Sequence, residues 1–169
     1  MDETSMFPEQ TKDLAAKALD GARAAGVRIT TVETVTSGLV AAALTSVSGA
    51  SSIVERGYIL YHDSAKATGL GVSEEISRTH GAVSAAVTQG LAEGGLAHST
   101  AGISIAVTGY AGPTGGNEKD PVGTCYVALA RTGQETIVER HSCAGDRDAV
   151  RLAAVNAALS LAIAHSSTG

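Results

Sequence analysis

Val27-Arg28-Ile29-Thr30-Thr31-Val32-Glu33-Thr34-Val35-Thr36-Ser37-Gly38 is the stretch on which the fold turns. Residues 27–32 are short, rich in β-branched side chains and preceded by Gly26, which reads as a buried strand. From Thr36 to Val47 the pattern is helical, with Leu39, Val40, Ala43, Leu44 and Val47 on one face. A strand that runs directly into a helix opens an α/β unit, and units of this kind stack helices on a sheet.

The pattern extends outward from there. Upstream, Pro8 suits the first turn of a helix. Leu14, Ala15, Ala18, Leu19 and Ala22 then mark one face as far as Ala25, and Gly26 closes it. Downstream, Gly49-Ala50-Ser51-Ser52 is a loop and 54–61 a strand, interrupted by Glu55-Arg56-Gly57. Residues 64–70 and 73–79 read as short helices, and 84–97 as a longer one weakened by Gly90, Gly94 and Gly95. Residues 102–108 form a strand with Ile103, Ile105 and Val107 apolar. Residues 122–131 and 136–143 form two more strands, joined by the turn Thr132-Gly133-Gln134-Glu135. Asp146 is a suitable N-cap for a last helix whose stripe is Leu152, Val155, Leu159, Ala162 and Ile163. The sum is a single-domain three-layer α/β/α sandwich with a mixed sheet over residues 1–169, of which 1–8 are a polar lead-in.

Composition narrows the function. The 169 residues are 44% hydrophobic and 17% charged, a globular balance. Aromatics are only 3%, Trp is absent, and there are 20 Gly and 30 Ala. Base stacking and aromatic hot spots therefore have little to work with. The net charge of −5 comes with no Lys/Arg run, which removes the electrostatic basis for nucleic-acid binding. No 18-residue apolar run exists, so no membrane span is expected, and the acidic first residues do not resemble a secretory leader. Cys125 and Cys143 lack a C-x-x-C arrangement and suit free thiols in a reducing compartment. A cytoplasmic protein is expected, with no membrane partner. Its Ala- and Gly-rich helices would suit a homo-oligomer.

Three segments could carry chemistry. In the first, around Glu33, Thr34, Thr36, Ser37 and Gly38, a strand end meets a helix start. The hydroxyls there are nucleophile, ligand or helix caps. In the second, Tyr61-His62-Asp63-Ser64-Ala65-Lys66, a lysine follows a strand end. A desolvated Lys beside a hydroxyl can serve as a general base, and a solvated one is surface. His62-Asp63 reads as a polar loop. The third is the loop 109–121, with Gly109, Tyr110, Gly112, Gly115 and Gly116. It fits neither a P-loop nor a dinucleotide fingerprint, but it is long for a plain connection and lets backbone N–H groups approach a ligand. Arg147 and Arg151, one helical turn apart, could bind an anion or pair with helix-start carboxylates. The five histidines are isolated, so neither a metal nor a cofactor is expected.

Taken together, these segments resemble the CinA carboxy-terminal domain family from about Leu14 to Ile163. The family pattern T-A-E-S-C-T-G-G stands as Thr31-Val32-Glu33-Thr34-Val35-Thr36-Ser37-Gly38. G-x-x-x-Y-x-x-x-x-K stands as Gly57, Tyr61 and Lys66. G-A-V-S stands as Gly81-Ala82-Val83-Ser84, and T-G-I-A-G-P-x-G-G as Thr108 through Gly116. K-P-V-G-T-V stands as Asp120 through Cys125, and G-D-R-x-x-x-R as Gly145-Asp146-Arg147 through Arg151. The resemblance implies an amidohydrolase that converts nicotinamide mononucleotide to nicotinic acid mononucleotide and ammonia, a step in pyridine-nucleotide recycling. It implies Thr34 at the nucleophile position, Lys66 as base and Tyr61 assisting, with helix-start amides holding the oxyanion. Substrate contacts fall on Glu33, Thr36, Ser37, Gly38, Arg147, Arg151 and the glycine-rich loop. The family nucleophile is Ser where this chain has Thr34, and Thr carries a methyl that stiffens χ1. That leaves a second expectation, a catalytically impaired nucleotide-binding relative.

Overall fold

The computed structural model describes residues 4–166, so Met1, Asp2 and Glu3 of the lead-in lie outside the described residues. The helices are α1 (Glu9–Ala24), α2 (Leu39–Thr45), α3 (Asp63–Leu70), α4 (Glu74–His80), α5 (Ala85–Ala97) and α6 (Arg147–Ser166). The strands are β1 (Ile29–Glu33), β2 (Val54–Ile59), β3 (Ile103–Gly109), β4 (Thr124–Arg131) and β5 (Ile137–Ser142). They form one mixed sheet in the order β2-β1-β3-β4-β5. β1 is parallel to both its neighbours, while β3, β4 and β5 run antiparallel to one another. Parallel pairs need crossovers. α2 supplies the one from β1 to β2, and α3 to α5 supply the one from β2 to β3. The expected α/β/α architecture with a mixed sheet is the observed one.

The strand sequences alternate large and small. Ile103, Ile105 and Val107 of β3 join Ile29, Val127 and Leu129 beneath α1, α2 and α6. The opposite face presents Ser104, Ala106, Ala128 and Ala130 toward α5. That thin face admits a helix at close range, and Gly95 of α5 makes the contact. A methyl there would lie 2.5 Å from both Ser104 Oγ and Val32 Cγ2. The glycines that weaken α5 as a helix are therefore where it seats on the sheet.

Four expectations are corrected. Helix α2 begins at Leu39, not Thr36, because Ser37 (φ 48°) and Gly38 (φ 95°) both sit in the left-handed region. No right-handed helix runs through two such residues. β2 continues through Glu55-Arg56-Gly57. The ladder slips one residue at Glu55, a bulge on an edge strand, and Gly57 admits Thr31 Oγ1, which would lie 2.8 Å from a methyl. His62-Asp63 is the start of α3, with the His62 ring accepting from Ser64 N–H. Finally, α6 is long and apolar enough, by length and composition, to cross a membrane. In the fold its stripe of Val150, Ala154, Val155, Ala158, Leu159, Leu161 and Ala162 is core, packed with α1, β3 and β4. The expected stripe residues Leu152 and Ile163 are only half-buried.

Candidate active site

The parallel strands β1, β2 and β3 all end at one edge of the sheet, and the segments that follow them converge there. A cavity of about 240 Å³ opens between them. Thr34 and Val35 follow the end of β1, Tyr61, Asp63 and Lys66 come from beyond β2, Gly109 is the last residue of β3, and Tyr110 to Gly112 with Thr114 follow it. Ala82 and Val83 enter from the α4–α5 connection, and Arg147 from the start of α6. Residues more than a hundred positions apart in sequence thus face one space.

Glu33 organises the β1 side. Its carboxylate is buried and accepts from Val40 N–H (2.8 Å), Ala41 N–H (3.1 Å), Thr36 Oγ1 (2.6 Å) and Thr31 Oγ1 (3.3 Å). Gly38 at the N-cap has no side chain to offer, so a carboxylate from the preceding strand caps α2 instead. The helix-start amides assigned to an oxyanion are therefore already occupied by an anion. The turn itself is pinned from both sides. Thr34 N–H and Thr34 Oγ1 both donate to Val107 O, at 3.2 and 3.0 Å, and Ser37 Oγ donates to Thr34 O. Arg151 Nε donates to Val35 O at 3.0 Å. The N–H groups of Val35, Thr36 and Gly38 have no acceptor among the described residues, and of these three residues only Val35 lines the cavity.

Lys66 is buried, and its Nζ donates to Asp63 Oδ1 at 2.8 Å, one turn back on α3. The pair sits inside the cavity wall. At the mouth, Arg147 Nη1 donates to Gly112 O (2.8 Å) and Nη2 to Tyr61 OH (3.2 Å). One guanidinium thereby ties the end of β2, the glycine-rich loop and α6 together. Thr34 and Lys66 are buried while Tyr61 and Arg147 are exposed, so the cavity runs from a dry end to a wet one.

The glycine-rich loop is ordered from behind. Asp120 is buried and accepts from Tyr126 OH (2.9 Å) and Arg140 Nε (3.0 Å), and Asn117 Oδ1 accepts from Asp120 N–H. Burial and the Asp120 carboxylate hold the Tyr126 phenol above its usual range, and Asp120 also strengthens the Arg140 cation. Gly109 backs onto Cys125, whose sulfur would lie 2.7 Å from a methyl at that position. Burial, and then the neighbouring Cys143, push the Cys125 thiol up to about 12.

Of the expected site residues, Thr34, Lys66, Tyr61, Gly109, Tyr110, Gly112 and Arg147 line the cavity. Glu33, Thr36, Ser37, Gly38, Gly115, Gly116 and Arg151 do not. Glu33 and Thr36 form the cap, Ser37 and Gly38 shape the turn, and Arg151 braces it. Gly116 packs against the Pro121–Val122 backbone, and Gly115 is exposed beside Tyr110. Val35, Asp63, Ala82, Val83, Ala111 and Thr114 also line the cavity and carry no role in the sequence reading. The i,i+3 spacing of Asp63 and Lys66 was the available signal for Asp63. A larger opening of about 690 Å³ lies between α5 and the β4–β5 turn, but its polar side chains Gln89, Glu93 and Thr136 bond to one another. Among the described residues no group of His, Cys, Asp and Glu side chains is placed to hold a metal ion.

Comparison with known proteins bears on the family and the fold. Residues 11–165 match the CinA C-terminal domain. The nicotinamide-nucleotide amidohydrolase PncC of Escherichia coli K12 is 40% identical over 154 residues, covering 91% of this chain and 93% of that protein. A CinA-like protein of Myxococcus xanthus is 38% identical over 96% of this chain, which spans 38% of that longer protein. In three dimensions the fold resembles the competence/damage-inducible protein CihA of Agrobacterium tumefaciens, with a TM-score of 0.91 at 36% identity over 95% of this chain and 98% of that one. It also resembles the competence damage-inducible protein A of Klebsiella pneumoniae, with a TM-score of 0.87 at 38% identity over 92% of this chain and 96% of that one.

Proposed function

The chain belongs to the CinA C-terminal domain family, and from that premise we propose that it is an amidohydrolase acting on nicotinamide mononucleotide. The observation that carries the proposal is the meeting of Thr34, Lys66 and Tyr61 in one cavity at the strand ends. The nicotinamide ring occupies the buried end, and the remainder of the nucleotide extends through the mouth. A volume of 240 Å³ lies below the roughly 300 Å³ at which cavities begin to enclose whole ligands.

In the proposed chemistry Lys66 first passes its ammonium proton to Asp63, and the free amine then takes the Thr34 hydroxyl proton as that oxygen attacks the carboxamide carbon. The tetrahedral oxyanion is held by the free N–H of Val35, which lines the cavity, rather than by the occupied helix-start amides. Lys66 returns a proton to the leaving nitrogen, the C–N bond breaks, and ammonia departs. Water then attacks the Thr34 ester, the C–O bond to Thr34 breaks, and nicotinic acid mononucleotide is released. Tyr61 orients the substrate at the rim. A cytoplasmic setting is proposed on the same ground, since this substrate is a free nucleotide.

One feature favours the second reading, a nucleotide-binding relative with an impaired nucleophile. In the resting arrangement the Thr34 hydroxyl donates to Val107 O and Lys66 donates to Asp63, so neither is aimed at the other. The experiment is ammonia release from nicotinamide mononucleotide by the wild type, Thr34→Ser and Lys66→Ala. Amidase function predicts turnover that Lys66→Ala lowers by about 10²-fold or more. No wild-type turnover, with a melting temperature raised by the nucleotide and activity gained in Thr34→Ser, establishes the second reading.

A further inference from the structure

The two cations that line the cavity are not equivalent. Lys66 is neutralised by Asp63 at 2.8 Å. Arg147 has no carboxylate partner among the described residues. Its sequence neighbours are committed elsewhere. Asp146 Oδ1 accepts from Ala149 N–H, and Asp148 faces Arg151 at 3.9 Å. The Arg147 bonds run to two uncharged oxygens, Gly112 O and Tyr61 OH. A guanidinium carries five N–H donors, and these two bonds leave three free. They lie at the exposed mouth, the end from which the non-amide part of a mononucleotide must emerge.

We infer that Arg147 is the specificity residue for the phosphomonoester of the substrate, and that the site distinguishes a mononucleotide from the corresponding nucleoside at this guanidinium. The inference rests on the amidohydrolase reading and adds to it the group that reads the phosphate. A planar fork matches phosphate oxygens bidentately. Here the bond to Gly112 O fixes the fork, and the longer bond to Tyr61 OH is the one a phosphate oxygen displaces. Lys66 cannot fill this role from the buried end, where Asp63 already cancels its charge.

The test compares kcat/KM for nicotinamide mononucleotide and nicotinamide riboside, which differ only in the phosphate, in the wild type, Arg147→Gln and Arg147→Lys. The wild type is expected to favour the mononucleotide, and Arg147→Gln to shrink that ratio by about 10- to 100-fold, the loss of a charge-assisted contact. Arg147→Lys should keep part of the ratio, through charge without the fork. A purely structural role for Arg147 would lower both substrates together and leave the ratio unchanged, and that result overturns the inference. Should the wild type release ammonia from neither compound, the amidase reading fails by itself. Calorimetric binding of nicotinic acid mononucleotide against its nucleoside then decides the inference by the same ratio.

Discussion

Replacing Glu33 by Gln separates a structural carboxylate from a substrate-binding one. The carboxylate is an acceptor only, and all four of its partners are donors: two backbone N–H groups and two hydroxyls. Gln keeps one acceptor oxygen and turns an NH₂ group toward the other pair. If the oxygen stays with Val40 N–H and Thr36 Oγ1, the NH₂ faces Ala41 N–H, which loses its acceptor, and Thr31, whose hydroxyl can reverse. One unsatisfied buried donor costs about 1–3 kcal/mol. Loss of the negative charge at the start of α2 adds roughly 0.3–1 kcal/mol. The total of about 1.3–4 kcal/mol corresponds to a fall in Tm of about 3–15 °C for a domain of this size. Differential scanning calorimetry of Glu33→Gln, with Glu33→Asp and Thr36→Val beside it, measures this directly. A Tm within about 2 °C of wild type, coupled to lost turnover, would refute the capping role and return Glu33 to the ligand-contacting set.

Two further predictions concern the wall behind the glycine-rich loop. The Cys125 thiol is raised to about 12 in the folded protein from an ordinary value near 9. The native state therefore holds that proton longer than the unfolded chain. Stability from this group is complete below about pH 9 and is lost as pH climbs toward 12, by at most about 1.4 kcal/mol per pH unit. Urea midpoints between pH 8 and 10.5 should fall more steeply in wild type than in Cys125→Ala, and equal slopes would exclude the burial argument. At pH 8 a thiol reagent should modify the half-buried Cys143 well before Cys125. Asp120→Asn weakens the bonds to Tyr126 and Arg140 that order the loop. Expected outcomes are a Tm lower by about 2–6 °C and a KM raised more than kcat is lowered, and an unchanged KM would show that the loop orders without Asp120.

The alternation of strands and helices was legible in the sequence because the apolar periodicities are local. β3 announces itself through Ile103, Ile105 and Val107, and α1 through Ala15, Ala18, Leu19 and Ala22. Residues that meet in space but not in sequence were less legible. The cap on α2 comes from Glu33, seven residues before Val40, across a turn whose left-handed residues no hydroxyl pattern encodes. Hydroxyls at Thr34, Thr36 and Ser37 look like caps, yet they point to Val107 O, Glu33 and Thr34 O. Lys66 could be placed near the site only through its motif. Its ion pair with Asp63 follows from helical spacing that becomes visible once α3 is known to begin at Asp63. The bulge at Glu55 belongs to an edge strand, where polar side chains are tolerated and the period-2 signal fades.

Arg147 stands on α6, the last helix the chain delivers, and the same helix supplies Val150, Val155, Leu159 and Ala162 to the core. Thr34, Lys66 and the glycine-rich loop all emerge before the element that roofs the sheet and closes the mouth. Without α6 the underside of β3 and β4 would be exposed, and the cavity would lack its guanidinium. One helix thus seals part of the interior and completes the mouth of the cavity, so a lesion in its apolar stripe reaches the site without touching it.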